Sequence, residues 1–243
     1  AQWLFSPEPF RISKKEAREV DSLGHSLAMF QKASESIYQR SALGRLPEWI
    51  ADLLDTGKPD WMVKIQRSVE LRDSLPRVIR PDLILTDRET TNGFALTELD
   101  SVPGGMGIAT WLSQVYTAHG FEVFGGANGI ADGFKSLMPD GGKILVSEES
   151  ADYLPEMSWL AEQLGEGYEA IQAEADDVKD DADRYRFFEW FDWQNIPQAK
   201  KLASRTNLTS PCKPHLEEKL WLALLWSPAL KELWEKEMRG SHL

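Results

Sequence analysis

The sequence predicts an α/β protein, with α+β elements: an N-terminal helical region followed by a β–α–β layer. Three observations predict it. Apolar residues recur at helical spacing through the first part of the chain, strand-like runs begin near Val78, and strand and helix patterns alternate from there on.

Ser13-Lys14-Lys15-Glu16 reads as a capping box that opens a long helix. Val20, Leu23, Leu27, Phe30, Ile37 and Tyr38 then give that helix one apolar face. "PEWIADLLD" predicts a second, short helix that stops near Gly57-Lys58-Pro59. Residues 1–77 thus read as a helical region. Between 78 and 173, "VIRPDLILT" and "FALTEL" are strands flanking the turn "DRETTNG". "IATWLSQVYTAH" is a helix closed by Gly120, and "FEVFGG" a short strand. "GGKILVS", "DYLPEMSWLAEQLG" and "YEAIQA" follow as strand, helix and strand. Residues 174–183, "EADDVKDDAD" from Glu174 on, read as an acidic, solvated loop. From 184 to 243 come aromatic alternation, a helix near "IPQAKKLA" and two Trp- and Leu-rich helices. The ten Trp residues are expected to serve the core.

Composition narrows the function classes. A chain of 243 residues that is 42% hydrophobic and 27% charged is long enough for a substantial core and has an ordinary globular balance. A net charge of −12 repels a phosphate backbone, so nucleic acid is not an expected partner. Cys212 stands alone, which excludes an internal disulfide framework and a thiolate zinc site and points to a reducing, cytoplasmic compartment. No run of about 18 apolar residues is present to cross a membrane. The opening "AQWLFSPEPF" lacks the basic and apolar regions of a signal peptide.

The chemistry concentrates in "RPDLILTDRETTNGFALTELDSVPGGMG". Side chains alternate along a strand, so Glu98 and Asp100 point the same way. With the turn centred near Thr90, paired positions sum to 180. Asp82 then faces Glu98 and Arg80 faces Asp100, all on one face. Opposed Cβ atoms lie roughly 4.5–5.5 Å apart, near enough to share an ion. Asp82, Glu98 and Asp100 are hard oxygen donors suited to Mg²⁺. Gly104 and Gly105 open the following helix, where backbone N–H groups are free to meet an anion. A structural alternative is an Arg–carboxylate surface network beside a glycine turn.

Arg80-Pro81-Asp82 with Glu98-Leu99-Asp100 resembles the Arg-x-Asp and Glu-x-Asn motifs of the circularly permuted ATP-grasp, glutathionylspermidine synthetase-like family, with Asp100 in the Asn position. "FFEWFDWQNIP" and "SPCKPHLEEKLWLALLW" are similar to later segments of that family, so the likeness runs from about Val78 to Leu243. The resemblance implies a circularly permuted ATP-grasp-like fold and an ATP- and Mg²⁺-dependent carboxylate–amine ligase that works through an acyl phosphate. It implies Mg²⁺ on Asp82, Glu98 and Asp100, and Arg80 facing the transferring phosphoryl group. Lys213 falls on the nucleotide-contacting Lys, and Lys219 stands in the family's Asn-Lys position as a further nucleotide contact. The partners implied are a small carboxylate and an amine. The family's glycine-rich lid does not follow "RGSHL", so the chain is expected to be the N-terminal portion of a longer protein, with 184–243 the start of its nucleotide-binding region. The alternative reading is a non-catalytic ATP-grasp-like binding or scaffold protein.

Other residues carry less. Glu148, Glu149 and Asp152 follow a strand and could attract a cationic amine, although a polar loop with a helix cap explains them as well. His25, His119, His215 and His242 show no metal spacing. Cys212 lies next to Lys213, which would lower its thiol pKa if the two met in space.

Overall fold

Ser13 opens the first helix as its spacing predicts, in a computed structural model that describes residues 4–87 and 93–238. The Ser13 hydroxyl accepts from the Glu16 N–H at 3.2 Å, and the Glu16 carboxylate accepts from the Ser13 N–H at 2.6 Å. Helix α1 (Lys14–Ala42) then runs until Gly44, whose φ of +66° a side chain would resist. Short helices α2 (Trp49–Asp55) and α3 (Asp60–Gln66) fold back beside it.

The buried face of α1 carries Phe30, Ala33, Ile37 and Tyr38. It meets α8 (Leu220–Leu225) and α9 (Lys231–Met238) through Trp221 and Trp234, with the Phe30 and Trp234 rings stacked at 5.3 Å. The two ends of the chain therefore share one core. Burial of each such side chain stabilises the fold by about 1.5–3 kcal/mol.

β1 (Arg80–Leu85) and β2 (Phe94–Asp100) form an antiparallel pair. α4 (Met106–Ala118) and α5 (Gly129–Leu137) follow, and then a four-stranded sheet. Its strands are β3 (Gly142–Val146), β4 (Tyr168–Gln172), β5 (Asp183–Phe187) and β6 (Leu208–Thr209), all parallel, in the order β4-β3-β5-β6. Helix α6 (Leu154–Leu164) crosses from β3 to β4, and α7 (Ala199–Ala203) precedes β6. Ile144, Leu145 and Val146 are completely buried, because both sheet faces are covered. Ile144 and Val146 meet Phe134, Met157 and Leu160 on one face, while Leu145 meets Trp190, Leu202 and Leu208 on the other. The α/β class and the parallel layer are thus as the alternation predicts.

Three expectations change. "FEVFGG" is not a strand: Gly125 and Gly126 take φ of +81° and +78°, and the segment turns without pairing. Within 174–183 the chain runs as a 3-10 turn through Ala175, a loop over 176–182 and the start of β5 at Asp183, and that loop is not simply solvated. Asp176 is 1% exposed and grips buried Arg184 through both carboxylate oxygens, at 2.6 and 3.2 Å. Asp180 reaches the same guanidinium at 2.7 Å and Lys143 at 2.6 Å. Two buried or half-buried cations anchor the acidic run, a long-range pairing that its composition does not display. Nor do all the Trp residues serve the core, since Trp49, Trp111 and Trp226 are exposed. Among the described residues no helix is long and apolar enough to cross a membrane.

Candidate functional site

The antiparallel pair sets the first part of the site. Arg80 pairs with Asp100 and Asp82 with Glu98, which is the arrangement the spacing predicts. Beyond them the register slips by one residue, so that Leu83 faces Leu96. Thr97 is the extra residue, and its hydroxyl donates to the Asp82 carbonyl at 3.0 Å. The slip confines the shared face to the four charged positions and re-phases the rest of the hairpin. Thr90, the expected turn centre, lies outside the described residues.

Arg80 sits among the carboxylates with three of its N–H groups engaged. Nε is 3.1 Å from Asp82 Oδ1, Nη2 is 3.1 Å from Asp100 Oδ2, and Nη1 donates to the Gly104 carbonyl at 3.2 Å. Glu98 pairs instead with Lys219 Nζ at 3.0 Å. This is how three carboxylates tolerate one strand face: two cations from the chain neutralise them. Among the described residues, no group of three Asp, Glu, His or Cys side chains is grouped so as to hold a metal ion. The donor chemistry of Asp82, Glu98 and Asp100 nevertheless suits Mg²⁺, and all three are part-exposed.

The glycine loop lies beside them. A Cβ on Gly104 would sit 2.8 Å from the Tyr153 ring and 2.9 Å from the Phe187 ring, so only glycine lets the backbone rest on both. Gly105 holds the left-handed conformation at the start of α4. The expectation that this helix end presents free N–H groups is corrected in part. Gly105 N–H donates to Glu156 Oε1 at 2.8 Å, and Ile108 N–H to Glu156 Oε2 at 3.0 Å. The anion at the helix start is a carboxylate of α6, placed there by close packing of α4 on α6 at Gly107.

Sheet topology supplies the rest. From β3 the chain turns through α6 to β4 on one side, while β5 lies on the other side of β3. The loops leaving β3 and β5 therefore diverge and open a crevice at the carboxyl ends of the strands, the usual place for a ligand in such sheets. A cleft of about 1110 Å³ occupies that position, and Arg80, Asp100, Glu149, Tyr153, Glu189 and Asp192 line it. Gly104, Gly105, Asp152 and Glu156 contribute as well, and Arg80 is the one cation among the lining residues. Glu149 and Asp152 thus stand where the sequence placed a substrate pocket. Glu148 does not line it, and its N–H donates to Glu174 Oε1 at 3.0 Å.

Crowding of carboxyls gives the cleft its electrostatics. Burial, together with Glu217, Asp100 and Asp192, raises the Glu189 pKa to about 7 against the opposing pull of Arg186. Glu217 is raised too, by burial first, although it pairs directly with Arg186. Glu149 is raised by its hydrogen bond to Asp192 across the crevice. Arg186 is fully buried and fixes these loops, donating to the Phe188 carbonyl and to the Ser210 carbonyl, the latter at 3.3 Å. Sequence reading missed Glu189, Asp192, Arg186 and Glu217. The one signal was that Glu189 and Asp192 closely follow a strand in "RYRFFEWFDW"; Arg186 lies within that strand and Glu217 carried no signal.

The Glu189→Gln variant should gain about 1–2 kcal/mol of stability above pH 7, allowing for partial exposure, and change little near pH 5. An acid whose folded pKa lies above its unfolded value stays protonated in the native state. It therefore costs stability as pH rises from the ordinary carboxylate range through about 7. Urea unfolding of both proteins across that range checks this, and an equal gain at both ends would assign the effect to something other than charge.

Lys213 lies apart from this cleft. Its ammonium is 1% exposed and donates to Glu35 Oε1 at 2.7 Å and to the Arg72 carbonyl at 3.1 Å. Burial lowers its pKa, with Glu35 and Asp73 pulling the other way. His215 Nε2 is 2.7 Å from the second Glu35 oxygen, and the His215 ring stacks on Tyr38 at 3.8 Å. The structure therefore brings Arg80, Asp82, Glu98, Asp100, Gly104, Gly105 and Lys219 together and leaves Lys213 in a buried ion pair. Cys212 corrects another expectation, because burial raises its thiol pKa well above the usual value and neighbouring Lys213 does not offset this. Comparison with family models, curated proteins and solved structures gives no match for this chain.

Proposed function

We propose that this chain carries part of the active site of an ATP- and Mg²⁺-dependent carboxylate–amine ligase of circularly permuted ATP-grasp type, working in the cytoplasm. The observation that carries the reading is the hairpin register. It fixes Arg80 between Asp82 and Asp100 and joins it to the Gly104 carbonyl at the lip of the crevice. In such a reaction a carboxylate is activated as an acyl phosphate and an amine displaces the phosphate, which requires positioning and charge neutralisation. Arg80 would neutralise the phosphoryl oxygens. Asp82, Glu98 and Asp100 would hold Mg²⁺, which when bound adds positive charge against the phosphates. The excess of carboxylates, with Tyr153 and Phe191 beside them, draws a protonated amine into the crevice. The amine must lose a proton before it attacks, and Glu189, balanced near neutral pH, is placed to take it.

A second reading rests on the engagement of Arg80 by its own chain, which fits a non-catalytic cleft that holds a cationic partner. Calorimetric titration of Mg-ATP separates the two. Binding that is lost in the Asp82→Asn, Glu98→Gln double variant supports the ligase. A folded protein that takes up an amine but no Mg-ATP supports the second reading and removes the first.

A further inference from the structure

The acidity of this chain is not evenly spread. Between α1 and residues 67–75 lies a cleft of about 700 Å³ lined by Lys32, Arg40, Arg45, Arg67 and Arg72, with Asp73 and Glu35 as its acids. One wall is a helical stripe, since Lys32, Ser36, Gln39, Arg40 and Leu43 recur at three- and four-residue intervals along α1 and on to its cap. Glu35 brings no free negative charge to the cleft, because its two oxygens meet Lys213 and His215, each at 2.7 Å. Arg40 pairs with Glu237, and Arg67 with Asp55. Among the described residues the side chains of Lys32, Arg45 and Arg72 make neither a hydrogen bond nor an ion pair. On a chain with net charge −12, unpaired cations gathered around one concavity are not an average of the composition.

We infer that this cleft binds a small linear oligophosphate, a molecule with two or more phosphoryl groups in a chain. Lys32, Arg45 and Arg72 reach the cleft from three separate segments, and its volume of about 700 Å³ is several times what one phosphoryl group fills. A chain of such groups uses that room and meets all three. Four of the five cations are guanidinium groups, whose paired N–H donors match oxyanions bidentately. An acidic polypeptide would meet the same cations, but its length would carry it past the cleft over a chain whose net charge of −12 repels it. An oligophosphate keeps all its charge within the concavity. The inference does not depend on the ligase reading, because the cleft shares no lining residue with the crevice that holds Arg80.

The test is calorimetric titration of inorganic tripolyphosphate in Mg²⁺-free buffer at low salt, into the wild-type chain and three variants. The Arg45→Ala, Arg72→Ala double variant should weaken binding at least tenfold, and Lys32→Ala should weaken it less. Neither change removes a side-chain hydrogen bond or ion pair, so thermal unfolding of the variants should match the wild type closely. Binding at this cleft should persist in Arg80→Ala, because Arg80 lines only the other crevice, and added salt should weaken every interaction. Absence of binding, or binding indifferent to the double variant, would overturn the inference. Loss on Arg80→Ala alone would place the phosphates at the hairpin instead, and tighter binding of a hexaglutamate peptide would assign the cleft to an acidic polypeptide.

Discussion

Replacing Glu35 with alanine should lower the free energy of unfolding by about 3–5 kcal/mol, because it strands the Lys213 ammonium in the interior without its partner. Whole domains are stable by only about 5–15 kcal/mol, so a shift of this size should be plain in a urea titration. The alternative cause is simple loss of packing. The Glu35→Leu, Lys213→Met double variant separates the two, since it removes both charges and keeps volume, and should recover part of the loss, the remainder being the buried His215 nitrogen that has also lost Glu35. A loss under about 1 kcal/mol for Glu35→Ala would show that water reaches Lys213 and that the pair is not truly buried. The pH dependence follows from the same carboxylate. Burial pushes the Glu35 pKa up, but His215 and Lys213 together bring it below its usual value. A depressed folded pKa gives stability that is complete above the ordinary carboxylate range and lost as pH falls through the folded value. The wild type should therefore lose more stability on acidification than the charge-free double variant.

Arg80→Ala should reduce amine-dependent ADP formation by about 10²–10³-fold, the usual scale for removing one preorganised group from a developing oxyanion. Its effect on stability should be small. Both of its ion pairs are part-exposed, and such pairs contribute about 0–1 kcal/mol. The contrast is the informative part, since a purely structural guanidinium would shift unfolding and leave no separate signature in turnover. Steady-state ADP release beside a denaturation curve reads both. Unchanged turnover in a folded Arg80→Ala protein would exclude Arg80 from the chemistry and favour the binding reading.

Local physics made much of this protein legible before any fold was known. Ser13 and Glu16 are three residues apart, so their reciprocal cap is written in spacing alone. The alternation of β3, α6 and β4 predicts a parallel layer because a parallel return needs a crossover helix. The strand period places Arg80, Asp82, Glu98 and Asp100 on one face, but the pairs nearer the turn are shifted by one, so it is the bulge at Thr97 that sets Arg80 against Asp100 and Asp82 against Glu98. These statements need only the nearest few residues, or a short turn.

Tertiary structure alone decided what depends on distant partners. The family resemblance implies that Lys213 contacts a nucleotide, yet a carboxylate 178 residues earlier in the chain holds it inside. Asp176 belongs to a run that composition marks as solvated, and Arg184 buries it. Glu189 has no motif around it. Its raised pKa comes from burial first and then from Glu217, Asp100 and Asp192, of which Glu217 and Asp100 are distant in the chain and near only through packing. The sequence determined the long helices α1, α4 and α6, the parallel layer and the face on which the hairpin charges stand, but not α3 or α5. Which charges are buried, paired or gathered in a cleft was left to the packing, because Coulomb energies depend on separation and burial in space and not on order along the chain.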